Sequence, residues 1–234
     1  MHEVKAKGIL SPRNGMNIYR GCTHGCIYCD ARSTCYRMSH EFEDVEVKIN
    51  APELLEQALR RKREKCMIGT GAMSDPYQHL EKNLRLTRRC LELIDEYGFG
   101  LAIQTKSDMI LRDLDLLERI NRKTKCVVQM TMTTYDEELC RVASDTSFEA
   151  GRTALTTFLS LPQSDALDVG VRLNTEYILG VLVELVTVAT AEAFCECALV
   201  AGYDDCVLRM FTKEPARKCL GYCSALAVLW RNAE

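Results

Sequence analysis

Glu96-Tyr97-Gly98-Phe99-Gly100-Leu101-Ala102-Ile103-Gln104 passes from a helix to a strand with a single glycine at the joint. Gly98 suits the left-handed C′ position that ends a helix, and the apolar run from Phe99 to Gln104 has strand length. Upstream, Glu81 to Tyr97 reads as a helix, with Leu84, Cys90, Leu91 and Ile94 on an approximate stripe. Before it, Cys66-Met67-Ile68-Gly69 is a short buried strand ending in Gly69-Thr70-Gly71. Asn50-Ala51-Pro52-Glu53 opens a helix running to about Lys65, with Asn50 as N-cap and an early proline. Downstream, Ile110 to Asn121 is a helix with leucines spaced by three, and Cys126 to Met132 is the next strand. Ser11-Pro12-Arg13-Asn14-Gly15 is a turn, followed by a short strand over Met16-Asn17-Ile18-Tyr19. Strand and helix alternate throughout this part, which is the rhythm of βαβ units and a parallel sheet. Such sheets carry their chemistry at the carboxyl ends of the strands.

The pattern weakens near residue 141. Most of the Lys and Arg lie before it, and the later part is rich in Ala, Leu, Val and Thr without clear punctuation. Ser147 to Ser160 and Asn174 to Val200 read as helices there, with Asn174 as an N-cap. We therefore expect two parts: 1–141, and a mostly helical 142–234. No internal repeat or low-complexity tract is visible.

The chain has 234 residues, 47% hydrophobic and 27% charged, which is ordinary for a soluble globular protein. A net charge of −3 gives no global field toward nucleic acid or anionic membrane. The first residues are mixed and charged, and the longest apolar stretch, Tyr177 to Ala201, contains Glu184, Glu192 and Glu196. A membrane span tolerates such charges poorly. The expectation is a cytoplasmic protein without a membrane partner.

Thirteen cysteines without a secretory signal point to metal binding or catalysis more than to disulfides. Cys66, Cys90 and Cys126 sit in apolar runs and read as core thiols. Cys22-Thr23-His24-Gly25-Cys26-Ile27-Tyr28-Cys29 is different. Three thiolates spaced three and then two apart suit three irons of a [4Fe–4S] cube and leave the fourth iron without a protein ligand. An open iron of this kind can bind the amino and carboxylate groups of S-adenosyl-L-methionine. Gly21 and Gly25 supply backbone freedom in the loop, and Tyr28 is placed to lie against an adenine. Two alternatives stay open. A zinc site would need His24 or Cys35 to complete it, because no second cysteine pair stands in register. A ferredoxin-like carrier would need Cys35 as fourth ligand.

Cys-x₃-Cys-x-Tyr-Cys resembles the signature of the radical SAM superfamily. The wider text, Asn17 to Arg32, Gly69-Thr70-Gly71-Ala72-Met73-Ser74-Asp75-Pro76-Tyr77, Gln104-Thr105-Lys106-Ser107-Asp108 and Val127 to Asp136, is similar to its spore photoproduct lyase-like branch. The resemblance covers about residues 5–141. It implies an α/β fold, a partial (βα)₆ TIM-like barrel, here incomplete or irregular after about residue 141. It implies a [4Fe–4S] cluster on Cys22, Cys26 and Cys29, and reductive cleavage of S-adenosyl-L-methionine to a 5′-deoxyadenosyl radical acting on an unidentified substrate. By the same resemblance, Tyr28, Ser74, Lys106, Gln129 and Thr131 contact the cofactor: Lys106 its carboxylate, Ser74 its amino group or ribose. Gln129 and Thr131 face the barrel interior by the two-residue period of a strand. A reducing electron donor such as a flavodoxin or ferredoxin is implied as partner.

Two departures stand out. Photoproduct lyases carry a hydrogen-donor cysteine in the loop after the second strand, and Gly69 to Tyr77 contains none. The expected fifth and sixth strands are not recognisable, Val183-Glu184 being the nearest approach to a fifth-strand motif. Cluster binding without turnover, or a zinc-binding structural module, are the rival functions. The basic runs Arg60 to Arg63 and Lys82 to Arg89 read as solvated helix faces, because Glu56, Glu64, Glu81 and Glu92 intersperse them. Cys195-Glu196-Cys197 and Cys219 with Cys223 read as incidental thiols. His24, His40 and His79 show no carboxylate arrangement in the sequence.

Overall fold

The computed structural model describes residues 1–132, 137–161, 168–173, 196–201 and 206–211. In chain order the strands are β1 (His2–Val4), β2 (Gly15–Met16), β3 (Tyr19–Arg20), β4 (Glu46–Lys48), β5 (Met67–Thr70), β6 (Gly100–Thr105), β7 (Cys126–Met132), β8 (Asp168–Leu173), β9 (Glu196–Ala201) and β10 (Cys206–Phe211). The α-helices are α1 (Ala51–Arg61), α2 (Glu81–Leu84), α3 (Leu86–Glu96), α4 (Leu114–Lys123), α5 (Glu137–Ala143) and α6 (Phe148–Leu159). The large sheet runs β2-β5-β6-β7-β8-β10-β9. Its first five strands are parallel, with helices in the crossovers, which is the α/β arrangement of a partial TIM-like barrel.

Alternation in β7 sets the two faces of the sheet. Cys126, Val128, Met130 and Met132 are buried, while Val127, Gln129 and Thr131 take the opposite side. The buried row packs with Leu91 and Ile94 of α3, Leu116, Leu117 and Ile120 of α4, and Ala154, Leu155 and Phe158 of α6 in one apolar core. Each such leucine or isoleucine contributes roughly 1.5–3 kcal/mol by leaving water. The other face is lined by Gly69, Ala102, Gln104, Val127 and Gln129, which border a cleft of about 470 Å³.

Gly98 closes α3 as the sequence requires. It has φ +63°, its N–H bonds Asp95 O at 3.2 Å, and Phe99 N–H reaches back to Ile94 O at 3.0 Å. That pair of bonds is a Schellman motif, and β6 starts at Gly100, two residues past Gly98. A small second sheet, β1-β4-β3, lies at the amino-terminal side. It delivers the chain from Arg20 directly into the cysteine loop, whose Cys22 N–H is held by Phe42 O at 3.1 Å.

Several expectations are corrected in detail. The strand expected over 16–19 is two short strands in two different sheets, since β2 pairs with β5 and β3 with β4. The helix expected over 81–97 is broken at Arg85, which takes a left-handed conformation with φ +51°. Asn50 occupies the cap position of α1 without capping it, because its side-chain amide bonds both Ala6 N and Ala6 O at 2.9 Å. Helix α1 ends at Arg61, before Lys65. The helix expected over 147–160 is α6, with Ser147 Oγ accepting from Ala150 N at 3.0 Å as its N-cap.

Beyond 141 the expectation of no fifth strand is overturned, as β8 lies parallel to β7 in register Gln129↔Gly170. The sheet then departs from a six-stranded parallel barrel, because β10 pairs antiparallel to β8 and β9 antiparallel to β10. Residues 196–200, placed in a helix from sequence, belong to β9. The rest of that expected helix lies outside the described residues, as do Val183-Glu184, Cys195, Cys219 and Cys223. Among the described residues no helix is long and apolar enough to cross a membrane.

Candidate functional site

The three spaced cysteines converge beside the carboxyl ends of β5 and β6. Cys22 and Cys26 are buried and Cys29 half-buried, and none is in a disulfide. Cys22 packs with Ala31 and Phe42 in a small apolar cluster of its own, with Cys29 and Met38 against it. Gly21 turns the chain into the loop at φ +91°, where a Cβ would stand 2.3 Å from Phe42 O. Glycine is therefore required there. Gly25 likewise has φ +63°.

Residues after β5 brace this loop. Ser74 Oγ donates to Gly21 O at 2.5 Å and accepts from Gln78 Nε2 at 3.2 Å. Gln78 Oε1 in turn accepts Thr23 N–H at 3.2 Å. Ser74 thus sits in the site as a tether of the cysteine loop, with its proton committed to Gly21. Gln78 is fully buried and was not flagged by sequence reasoning.

Lys106 follows β6 and is 8% exposed. Its Nζ donates to Tyr28 Oη at 2.6 Å and lies 4.9 Å from the centre of the Tyr28 ring. Cys26 is a further side-chain partner of the ammonium. Burial works against the lysine charge, but Tyr28 and Cys26 outweigh it and hold its pKa above the ordinary value. Gln129 and Thr131 take the interior face of β7, as expected. Gln129 borders the cleft, and Thr131 Oγ1 accepts from Gln104 Nε2 at 3.4 Å.

Asp75 is the buried anion of the site. Burial opposes its charge, yet His24, the Thr105 hydroxyl at 2.6 Å and Lys106 N–H at 3.0 Å hold its pKa below the usual carboxylate value. His24 is 2% exposed, between Asp75 and Asp145. Burial pulls its pKa down, and the hydrogen bond to Asp145 together with the Asp75 carboxylate 3.4 Å from Nε2 overcomes that and raises it to about 9. The sequence showed no carboxylate arrangement around His24 and His79, yet the fold supplies one. Asp145 bonds both imidazoles across separations of 121 and 66 residues.

The donor set is three thiols in one loop, which suits three irons of a cube. They lie close enough to act on one another, Cys26 disfavouring the charged form of both Cys22 and Cys29. Burial first, and then the Asp75 carboxylate, push the Cys22 thiol up to about 12, while backbone N–H groups of His24 and Asp75 favour the thiolate. The two N–H groups are placed to stabilise a thiolate at Cys22, the form in which a cysteine ligates a metal. Cys35 is exposed on a separate 3₁₀ turn, Thr34–Tyr36.

Residues 16–156 match the family model described as "Radical SAM superfamily". The chain belongs to this superfamily. The family implies a [4Fe–4S] cluster and S-adenosylmethionine, and the matched span runs past residue 141 to the end region of α6. An uncharacterised protein of Methanocaldococcus jannaschii is 36% identical over 127 residues, covering 51% of this chain and 47% of that protein. An uncharacterised protein of Mycobacterium tuberculosis is 34% identical over 179 residues, covering 67% of this chain and 51% of that protein. The chain therefore spans about half the length of these relatives. Among solved structures, a variant of spore photoproduct lyase overlays with a TM-score of 0.48 at 15% identity, covering 92% of this chain and 75% of that one. A second variant, with bound AdoMet and dinucleoside spore photoproduct, gives a TM-score of 0.44 at 13% identity, covering 88% and 69%.

Proposed function

We propose that this radical SAM chain binds a [4Fe–4S] cluster through Cys22, Cys26 and Cys29 and S-adenosylmethionine beside Lys106 and Tyr28, and acts as a radical-generating enzyme on a substrate of unassigned class. When bound, the cluster supplies one electron that splits the cofactor sulfonium into methionine and a 5′-deoxyadenosyl radical. The observation that carries the reading is the Lys106–Tyr28 contact next to Cys26. It puts a buried cation and an aromatic ring together at the carboxyl end of β6, where a parallel sheet binds ligands.

The chain's own residues then have distinct tasks. Lys106 offers a charge-assisted bond to the cofactor carboxylate. Tyr28, 48% exposed, offers its ring face to the adenine. Ser74 and Gln78 fix the cysteine loop against β5, and Asp75 fixes the backbone of Lys106. Gln104 and Gln129 present neutral hydrogen-bonding groups to the interior cleft, and Thr131 holds the Gln104 amide. A flavodoxin- or ferredoxin-class donor supplies the electron.

Binding of cluster and cofactor without turnover is favoured by one observation, the antiparallel β10 standing where a sixth parallel strand would close the barrel. Anaerobic reconstitution with iron and sulfide, followed by dithionite and S-adenosylmethionine, separates the readings. Formation of 5′-deoxyadenosine supports the enzyme. A loaded protein that forms none supports binding alone.

A further inference from the structure

A second set of metal-ligating side chains lies beside the cysteine loop, and the proposed radical chemistry does not use it. His24 Nδ1 stands 2.8 Å from Asp145 Oδ1, and His79 Nε2 is bonded to Asp145 Oδ2. One ligand atom from each of the three residues lies within 4.8 Å of the other two. His24 is buried, and its other ring nitrogen, Nε2, makes no regular hydrogen bond. That nitrogen faces Asp75 Oδ2 at 3.4 Å. Asp75 is itself locked by Tyr77 N–H at 2.8 Å, Thr105 Oγ1 at 2.6 Å and Lys106 N–H at 3.0 Å. An imidazole with one nitrogen at a ligand cluster and the other turned to a fixed carboxylate is how metal-bound histidines are oriented.

We propose that His24, His79 and Asp145 bind one divalent ion of the zinc class, with Asp75 as the carboxylate that orients His24. Two imidazole nitrogens and one carboxylate oxygen suit zinc, whereas magnesium and calcium want an all-oxygen shell. Three protein ligands leave the fourth tetrahedral position open. It opens toward solvent, because His79 is 62% and Asp145 30% exposed. On binding, the ion replaces the protons that now bridge Asp145 to the two rings, and those protons leave to solvent. The ion ties together three segments: the cysteine loop, the loop after β5, and the turn between α5 and α6. Backbone bonds from Asp145 N to His24 O and from Ile27 N to Ala143 O, both 3.0 Å, already align the first and third.

Cobalt(II) is the probe, titrated anaerobically into the cluster-loaded protein and read by its visible ligand-field absorption above the cluster background. One equivalent is expected, without a thiolate charge-transfer band, and displaceable by zinc. His79→Ala removes an exposed side chain, so the fold should survive, and cobalt affinity should fall at least about tenfold. Cys35→Ser, which removes the exposed thiol, should leave it unchanged. Unchanged uptake in His79→Ala would overturn the proposal. So would a thiolate band that disappears in Cys35→Ser, or absence of uptake by the parent protein at micromolar cobalt and zinc.

Discussion

Lys106 Nζ stands 2.6 Å from Tyr28 Oη, so residues 78 positions apart in the chain share one point beside Cys26. The contact joins the carboxyl end of β6 to the last turn of the cysteine loop. The partners of the Lys106 ammonium are side chains of the loop, Tyr28 and Cys26.

Lys106→Met keeps the apolar stem and removes the charge. A hydrogen bond to a charged group is worth about 1.5–3 kcal/mol, or roughly 10- to 100-fold in Kd. Isothermal titration should show S-adenosylmethionine binding weakened to that extent, with iron content and melting temperature nearly unchanged. Equal affinity would remove Lys106 from the cofactor site.

Ser74→Ala tests the tether. It leaves Gly21 O and the Gln78 amide without their partner in a buried setting, a loss of about 1–3 kcal/mol. The expected outcome is faster release of iron to a chelator, with cofactor affinity affected less than in Lys106→Met. A larger loss of affinity than of cluster retention would mean that Ser74 binds the cofactor directly.

Gly71→Ala should be far more damaging than its size suggests. Gly71 has φ +100°, and a Cβ there would fall 1.9 Å from Gln104 O, forcing β5 and β6 apart at their carboxyl ends. A cost of more than about 3 kcal/mol follows from strain and clash together. Gly8→Ala meets nothing within 4 Å and serves as the control. Comparison of melting temperatures checks both.

Glu81→Ala probes a buried ion network that includes none of the three loop cysteines. Glu81 accepts from Tyr19 Oη at 2.5 Å, Thr87 N–H at 3.0 Å and Arg112 Nη2 at 2.8 Å. Its removal leaves Arg112 with Asp113 as its remaining carboxylate and strands the Tyr19 hydroxyl in the core. Breaking such a buried pair costs about 3–5 kcal/mol. Chemical denaturation of the unloaded protein should show that loss.

The central strands and helices were legible because each carries its own period and its own stop. Gly98 and the alternation of β7 are examples. Strand β8 was missed, although Val169, Val171 and Leu173 alternate with Asp168, Gly170 and Arg172. No glycine or proline turn brackets that run clearly, so the period alone did not stand out. Strand β9 carries the near-continuous apolar run Cys197 to Ala201, which a buried helix could equally carry. In the site, spacing exposed Cys22, Cys26 and Cys29, and position after a strand exposed Lys106. Asp75, Gln78, His79 and Asp145 acquire meaning only through contacts between distant segments, which no local pattern encodes. The basic runs read as solvated helix faces only in part: Lys62 and Arg63 lie beyond α1, Arg85 breaks the second helix, and Glu81 is buried. Arg60 pairs with Glu56, and Arg88 with Asp113 and Asp115.

The central claim is that three cysteines hold a cube with one iron left for the cofactor. The most direct measurement is the electron paramagnetic resonance spectrum of the reduced, reconstituted protein before and after S-adenosylmethionine is added. The account predicts a [4Fe–4S]⁺ signal whose g-values shift on addition of the cofactor, and no such signal in Cys26→Ala. A signal indifferent to S-adenosylmethionine, or one that persists in Cys26→Ala, would contradict it.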